Sequence, residues 1–331
     1  MLITGALGFI GSNFVNYFAK KYPETNIVIL DKCDYCSSID NIEKNNYNVH
    51  IIIGNILDRE CVSEILHTHN INTVIHFAAQ SHVDNSFCNS ITFTENNILG
   101  THLLLETTRL YHEKTGRIQK FIHVSTDEVY GEVLDDSIRT ETSILDPTNP
   151  YAASKAGAEF MAKSYYYSYN IPIIITRANN VYGINQYPEK VIPKFICQLI
   201  DGKKITLHGS GTSRRNFIHV DDVSTAYETI LLHGKIGEIY NISAADKHEF
   251  SMVELAQTLI ELFNDKMNIE DTIIYVEDRK FNDTRYFTSS EKLEKIGWKP
   301  TKINFKDNLV ELITWYTHNR SRYEIIARQP E

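Results

Sequence analysis

The sequence has no stretch approaching the roughly 20 apolar residues that a membrane-spanning helix requires. It shows no charged-then-apolar leader either: Met1 runs straight into a short strand pattern and a glycine-rich turn, so no export signal is expected. Positive charge is scarce. Thirty-three Lys and Arg face 42 Asp and Glu, a net charge of −9, which argues against a general nucleic-acid or anionic-membrane binder. A polyanionic ligand would have to be met by cations gathered in one cleft. Cysteine is also sparse, with five at irregular spacing, which suits a reducing compartment and predicts a cytoplasmic protein. Cys33 and Cys36 form a C-x-x-C pair, but no second Cys or His pair at zinc spacing accompanies them. They read as loop thiols, and no metal is expected. There is no internal repeat and no low-complexity segment.

What is present is core material: 42% of 331 residues are hydrophobic, enough for one large α/β unit carrying a smaller one. The first half alternates short apolar runs with amphipathic stretches. Strands are predicted at Leu2–Thr4, Ile27–Leu30, Val49–Ile53, Thr73–Phe77, Lys120–Val124 and Ile173–Thr176. Helices are predicted at Ile10–Lys21, Arg59–His69, Asn96–His112 and Tyr151–Tyr169. That alternation signals a doubly wound parallel sheet with helices on both faces, which binds ligands at the carboxyl ends of its strands. Beyond residue 178 the rhythm breaks around Pro188, Pro193 and Gly209-Ser210-Gly211. Helical patterns follow at Ser251–Phe263 and Phe305–Asn319, then a polar tail from Arg320. Residues 1–178 are therefore read as a dinucleotide-binding domain and 179–331 as a smaller C-terminal substrate-binding lobe. The segment 216–241 is expected to return to the main sheet through one or both of Phe217–Val220 and Glu238–Asn241.

The first strand leads into Gly5-Ala6-Leu7-Gly8-Phe9-Ile10-Gly11 and a helix, and the second strand ends on Asp31. Glycines permit the tight turn and let backbone approach a pyrophosphate at a helix N-terminus. A carboxylate at Asp31 can accept from ribose hydroxyls and repels a 2′-phosphate, favouring NAD. Lys32 beside it is a candidate phosphate partner and leaves NADP open.

Tyr151 and Lys155 stand at i and i+4, on one helical face. An ammonium beside a phenol stabilises phenolate, so the spacing predicts a Tyr151 whose pKa is pulled toward neutrality and which takes a hydroxyl proton as hydride leaves. Upstream, Ser125-Thr126-Asp127-Glu128-Val129-Tyr130-Gly131 emerges from the end of a strand. Two adjacent carboxyls in different environments can serve as acid and base in one reaction.

Together these features resemble the extended short-chain dehydrogenase/reductase superfamily, with its Rossmann-like sheet. The Ser125–Gly131 segment, Phe77–Ser86 and Asn179-Asn180-Val181-Tyr182-Gly183 resemble the nucleotide-sugar 4,6-dehydratases. Gln80, Asn85 and the run Arg279–Tyr286 look most like the UDP-glucose enzymes of UDP-rhamnose synthesis, and next like dTDP-glucose 4,6-dehydratases. Asn282 departs from the His often found there in dTDP-glucose enzymes, which leaves UDP versus dTDP, and the hexose, open.

The resemblance implies a mechanism. Tyr151, aided by Thr126, takes the C4 hydroxyl proton while hydride passes to NAD, and Lys155 tunes Tyr151 and holds the nicotinamide ribose. Glu128 removes the C5 proton, Asp127 protonates the departing C6 hydroxyl, and the hydride returns to C6. It also implies cofactor contacts at Gly5, Gly8, Phe9, Ile10, Gly11, Asp31, Lys32, Asn55, Ile56, Ala78, Ala79, Asn97 and Ser125. Substrate contacts are implied at Ser81, His82, Asn180, Lys190, Arg215, Asn241, Arg279, Arg285 and Tyr286, the arginines offering planar forks to a diphosphate. Arg214 is a further candidate there.

Two other readings stand beside this one. A UDP-sugar 4-epimerase or decarboxylase of the same fold would keep the glycine turn and Tyr151/Lys155 but would not need Asp127 beside Glu128. A non-catalytic NAD-sensing regulator would have no reason to hold all four. The Asn96–His112 and Tyr151–Tyr169 patterns carry apolar residues on more than one face, which predicts a helical homodimer interface.

Overall fold

The computed structural model describes residues 1–133, 137–244, 249–278 and 283–323. The strands, in chain order, are β1 (Leu2–Thr4), β2 (Ile27–Asp31), β3 (Val49–Ile53), β4 (Thr73–His76), β5 (Lys120–Thr126) and β6 (Ile173–Ala178). They continue as β7 (Asn180–Tyr182), β8 (Ile205–His208), β9 (Arg214–His219), β10 (Ile239–Ile242), β11 (Glu249–Ser251) and β12 (Ile273–Val276). Seven form one sheet in the order β10-β6-β5-β4-β1-β2-β3, every pairing parallel. The chain winds outward from β1 in one direction and from β4 in the other. A crevice therefore opens between their carboxyl ends, the usual ligand position in such sheets.

The strands are continuous apolar runs because both faces are covered. On one face Ile3, Ile29, Ile75 and Ile122 pack with Phe14 and Phe18 of the helix Phe9–Lys21 and with Val223 and Tyr227 of the helix Val220–His233. On the other, Leu2, Val28, Leu30, Val74 and Phe121 meet the helices Arg59–Thr68, Gly100–Thr115 and Pro150–Tyr169. A third core, around Phe195, Leu207, Phe217, Leu259 and Leu312, belongs to the C-terminal half.

Local chemistry fixes the ends of the functional helices. Asn149 caps the helix Pro150–Tyr169 by accepting from Ala152 N at 2.9 Å, Pro150 occupies the first turn, and Asn170 closes it in the left-handed region. The helix Phe9–Lys21 starts at Gly8 with no side-chain cap, so its first amides are left to the crevice.

Three expectations are corrected here. Phe217–Val220 does not return to the main sheet: β9 sits in a separate sheet of order β11-β9-β7, since its ladder partners are Asn180–Tyr182 and Glu249–Ser251. Only β10 joins the main sheet, on β6. The stretch read as one helix from Asn96 is a π-helical segment, Thr94–Leu99, followed by the α-helix Gly100–Thr115, so the hydrophobic periodicity continued through a change of winding. Finally, Arg320–Tyr323 is not free tail. Arg320 pairs with Asp201 at 2.7 Å, and Tyr323 is buried in the third core.

Candidate active site

The crevice is a cleft of about 300 Å³ reaching from the glycine turn to the β5 and β6 ends. Gly5, Gly8, Phe9, Ile10, Gly11, Asp31, Lys32, Asn55, Ile56, Ala78 and Ala79 line one end. Ser125, Thr126, Asp127, Glu128, Tyr151 and Lys155 line the middle, with Ser81, Asn180 and Lys190 beyond them. Residues more than 170 positions apart in sequence thus share one wall.

The glycine turn is as tight as the spacing implied. Gly5 has φ +71°, and a Cβ there would lie 2.5 Å from Ala78 Cα. At Gly11 a Cβ would lie 2.7 Å from Ala6 Cα. Asp31 braces this turn, accepting from Leu7 N at 2.9 Å, Cys33 N at 2.8 Å and Ser37 Oγ at 3.4 Å, and it also lines the cleft. Lys32 is drawn to Asp34 at 2.8 Å, which gives that end two carboxylates and a neutralised cation.

At the reacting end, at the close of β5, the Asp127 carboxyl is buried and Glu128 is half-buried. Burial first, and the neighbouring Glu128 second, push Asp127 up to about 8. Burial also raises Glu128, against a hydrogen bond from Asn149 Nδ2 at 3.2 Å and the nearby charges of Lys190 and Arg215. Asp127 is therefore poised to hold a proton where an exposed carboxyl would not, and Glu128 is shifted in the same direction. Lys155 donates to Val124 O at 2.7 Å, and burial lowers its pKa to about 8, opposed by Glu159.

The electrostatics of Tyr151 overturn the expectation that Lys155 draws its pKa down. Burial, then the charges of Glu128 and Asp127, raise it, and the bond to Thr126 is what pulls the other way. Helical spacing placed the ammonium on the correct face, but tertiary packing turned it onto a strand carbonyl.

Several named residues lie outside the cleft lining. Asn97 stands behind it, holding Gln80 N at 2.8 Å and Ser154 Oγ at 2.9 Å. His82 caps the short helix Val83–Cys88. Asn241 is buried under the site, accepting from Tyr130 at 2.8 Å, because β10 carries it into the sheet. Arg285 pairs with Glu249 at 2.5 Å, and Arg214 lies 3.3 Å from the same carboxylate. The Arg215 guanidinium stacks 4.9 Å from the Tyr286 ring; its charge reaches Asp127 and Glu128, and Glu128 in turn acts on Tyr286. These groups form a flank beside the acids. Arg279 and Asn282 lie outside the described residues.

The cleft also gathers residues that sequence reasoning missed: Asp34, Cys36, Ser37, Asn96, Gln186, Tyr187 and Glu189. Asn179 stood inside a quoted motif without a role, and now lines the cleft. Ser125 Oγ, Asp127 Oδ2, Asn179 Nδ2 and Gln186 Oε1 are buried there without a hydrogen-bond partner among the described residues. Orphaned buried polar atoms around one cavity mark a place where a polar ligand completes the structure. With the close-approach glycines, uncapped helix amides and strand-end acid, the residues fit a dinucleotide at one end and a polar second ligand at the other. Among the described residues no group of three His, Cys, Asp or Glu is placed to hold a metal ion.

Such a sheet, with a glycine turn and a Tyr/Lys helix meeting in one cleft, defines a Rossmann-type dinucleotide-dependent enzyme class. The chain belongs to the GDP-mannose 4,6 dehydratase family, whose model matches residues 2–312. It is 47% identical over 323 residues to the trifunctional UDP-glucose 4,6-dehydratase/UDP-4-keto-6-deoxy-D-glucose 3,5-epimerase/UDP-4-keto-L-rhamnose-reductase RHM2 of Arabidopsis thaliana, covering 96% of this chain and 47% of that protein. The chain thus spans about half the length of that relative. The dTDP-D-glucose 4,6-dehydratase of Homo sapiens is 45% identical over 336 residues, covering 100% of this chain and 93% of that one. Among solved structures, dTDP-glucose 4,6-dehydratase DesIV from Streptomyces venezuelae, with NAD and TYD bound, superposes with a TM-score of 0.91 at 35% identity, covering 98% and 99% of the two chains.

Proposed function

We propose that this chain is an NAD-dependent nucleotide-sugar 4,6-dehydratase that converts UDP-glucose or dTDP-glucose to the 4-keto-6-deoxy sugar nucleotide, in deoxysugar synthesis of the rhamnose type. The observation that carries the reading is the Asp127–Glu128 pair at the end of β5, beside Tyr151 in one cleft. NAD held at the glycine turn would accept a hydride from C4 of the sugar and return it at C6. Residues 1–178, with the helix Val220–His233 and β10 on the same sheet, would hold it, and the rest of 179–331 would hold the nucleotide sugar. The pairing of Lys32 with Asp34 beside Asp31 favours NAD over NADP.

The protein's own groups then divide the proton transfers. Tyr151 takes the C4 hydroxyl proton, with Thr126 bonded to its oxygen. Ionised carboxylates oppose a Tyr151 phenolate, so the proton held on Asp127 also eases this step. Asp127, protonated near neutral pH, delivers its proton to the departing C6 hydroxyl. Glu128, held by Asn149, takes the proton from C5 and returns it there as the hydride is delivered at C6. Lys155, fixed on Val124 O, is a donor toward the cofactor ribose. Arg215, Lys190 and Asn180 are our diphosphate contacts.

Incubation of the purified protein with each sugar nucleotide, followed by mass spectrometry, tests the assignment. The expected product has lost one water, forms without added cofactor from protein that carries NAD, and accumulates no reduced nicotinamide in proportion. A product of unchanged mass would transfer the assignment to the epimerases; no product from either sugar, with NAD still bound, would favour a binding role.

Among the described residues no helix is long and apolar enough to cross a membrane. The cysteines are unbridged, which supports our reading of a cytoplasmic enzyme; recovery from a secretory fraction would overturn it. We also read the chain as a homodimer. Phe160 and Tyr167, on the helix Pro150–Tyr169, are 57% and 77% exposed, with Leu99 exposed nearby in sequence to the neighbouring helix. Light scattering at micromolar concentration should give twice 38.1 kDa; a monomer mass would rule the dimer out.

A further inference from the structure

Beneath the catalytic groups lies a buried ionic network that the proposed reaction does not use. Arg177, on β6, donates to Glu159 through Nε at 2.9 Å and Nη2 at 2.6 Å. The two are 1% and 0% exposed. Nη1 of the same guanidinium donates to the Tyr130 hydroxyl at 2.7 Å, and its plane lies 4.6 Å from the Tyr130 ring. The Tyr130 hydroxyl donates onward to Asn241 Oδ1 at 2.8 Å, so its hydrogen-bonding capacity is committed.

The two ends of this network are the two halves of the site. Glu159 lies on the helix Pro150–Tyr169, one turn beyond Lys155 and two beyond Tyr151, on the same face. Tyr130 closes the 3-10 turn Asp127–Tyr130, which carries both carboxyls. Arg177 sits between them on β6, in register with Ser125 of β5. A buried ion pair is a poor source of stability, because desolvation offsets much of the attraction and apolar replacements are often neutral or better. A pair with three directed bonds joining two catalytic elements has a geometric use instead.

We propose that Arg177 and Glu159, acting through Tyr130, are positioning residues that fix the distance between the Tyr151/Lys155 helix and the Asp127/Glu128 turn. The oxidising and eliminating groups must address neighbouring carbons of one sugar, so a shift of about 1 Å between them is expected to cost about 10²-fold in rate. The proposal rests on the dehydratase reading for its catalytic consequence, but its structural claim is measured separately.

Two variants test it. Arg177→Met with Glu159→Leu removes the pair without stranding a buried charge. Tyr130→Phe keeps the ring and removes only the hydroxyl link, so it decides the matter should the double variant fail to fold. Hydrogen exchange is read at Gly131 and Asp146, whose amides bond to Glu128 O and Val129 O in this turn. In both variants exchange there should quicken while amides in the middle of the Tyr151 helix keep their protection. With sugar nucleotide, kcat should fall by about 10²-fold in the double variant and less in Tyr130→Phe, with KM little changed. Unchanged exchange at the turn, a parental kcat, or a loss of protection spread evenly over the domain would each overturn the proposal. If the parent enzyme yields no dehydrated product, the functional reading fails, and the exchange pattern still judges the clamp.

Discussion

Asp127→Asn and Glu128→Gln should each stop the reaction after sugar oxidation, leaving reduced nicotinamide on the protein. The replacements keep shape and most hydrogen bonds while removing proton transfer. C4 oxidation uses Tyr151, whereas loss of water across C5 and C6 uses the two carboxyls. General acid or base help is typically worth about 10²–10⁴-fold in the step it serves. A rapid-mixing trace should therefore show the near-ultraviolet absorbance of reduced nicotinamide rise and persist in both variants, and stay flat in Tyr151→Phe. Dehydration at the parental rate in both carboxamide variants would make the pair structural.

The same Asp127→Asn variant has a second expected signature in its stability. The folded pKa of Asp127, about 8, lies above its ordinary 3.8, so the folded protein holds this proton more tightly than the unfolded chain. Stability then falls as pH rises from about 4 toward 8, because ionising the buried group costs the folded state. The asparagine has no proton to lose. Its Tm advantage over the parent should grow across that window and level off above it; a difference independent of pH would show that Asp127 is ionised throughout.

Gly5→Ala should be strongly damaging for a single added methyl group. The residue needs φ +71°, and the new Cβ would lie 2.5 Å from Ala78 N and Cα, backbone that anchors the end of β4. Left-handed strain costs about 1–3 kcal/mol, and forcing atoms into a packed region costs a further ~1–3 kcal/mol. Against the roughly 5–15 kcal/mol that holds a domain together, this is a large fraction. Gly8→Ala makes the control: φ is −77°, and its Cβ would meet only Gly5 O, at 3.3 Å. Thermal unfolding should show a strongly lowered Tm for Gly5→Ala and a small change for Gly8→Ala. Equal midpoints for the two would refute this account of the turn.

Much of this was legible in advance where chemistry is local. Parallel strands buried on both faces must be apolar throughout, so β1 to β6 stand out as short runs. The glycine turn, Asp31 and the Tyr151/Lys155 spacing each rest on near-neighbour geometry. What escaped was decided by partners far along the chain. Phe217–Val220 reads like any buried strand, and only its pairing with β7 and β11 removes it from the main sheet. The raised Tyr151 and the turning of Lys155 onto Val124 O come from burial, which spacing cannot express. Asn241 and Asn97 resemble ligand contacts by motif, and the fold also engages them with Tyr130, Gln80 and Ser154. The cleft residue Gln186 gave no periodic or motif signal, and Cys36 stood out only as half of a C-x-x-C pair read as loop thiols.

Asn149 narrows what natural variation can accept. Its oxygen starts the helix that carries Tyr151, and its nitrogen holds Glu128. Aspartate would keep the helix start and lose the donor to the acid, and serine would have to serve both duties with one oxygen on a shorter arm. Glutamine would offer the donor from a longer arm and lose the cap. An asparagine meets both demands, so this position is answerable at once to folding and to chemistry. Substitutions surviving there would have to be accompanied by a second change that rebuilds whichever duty was dropped.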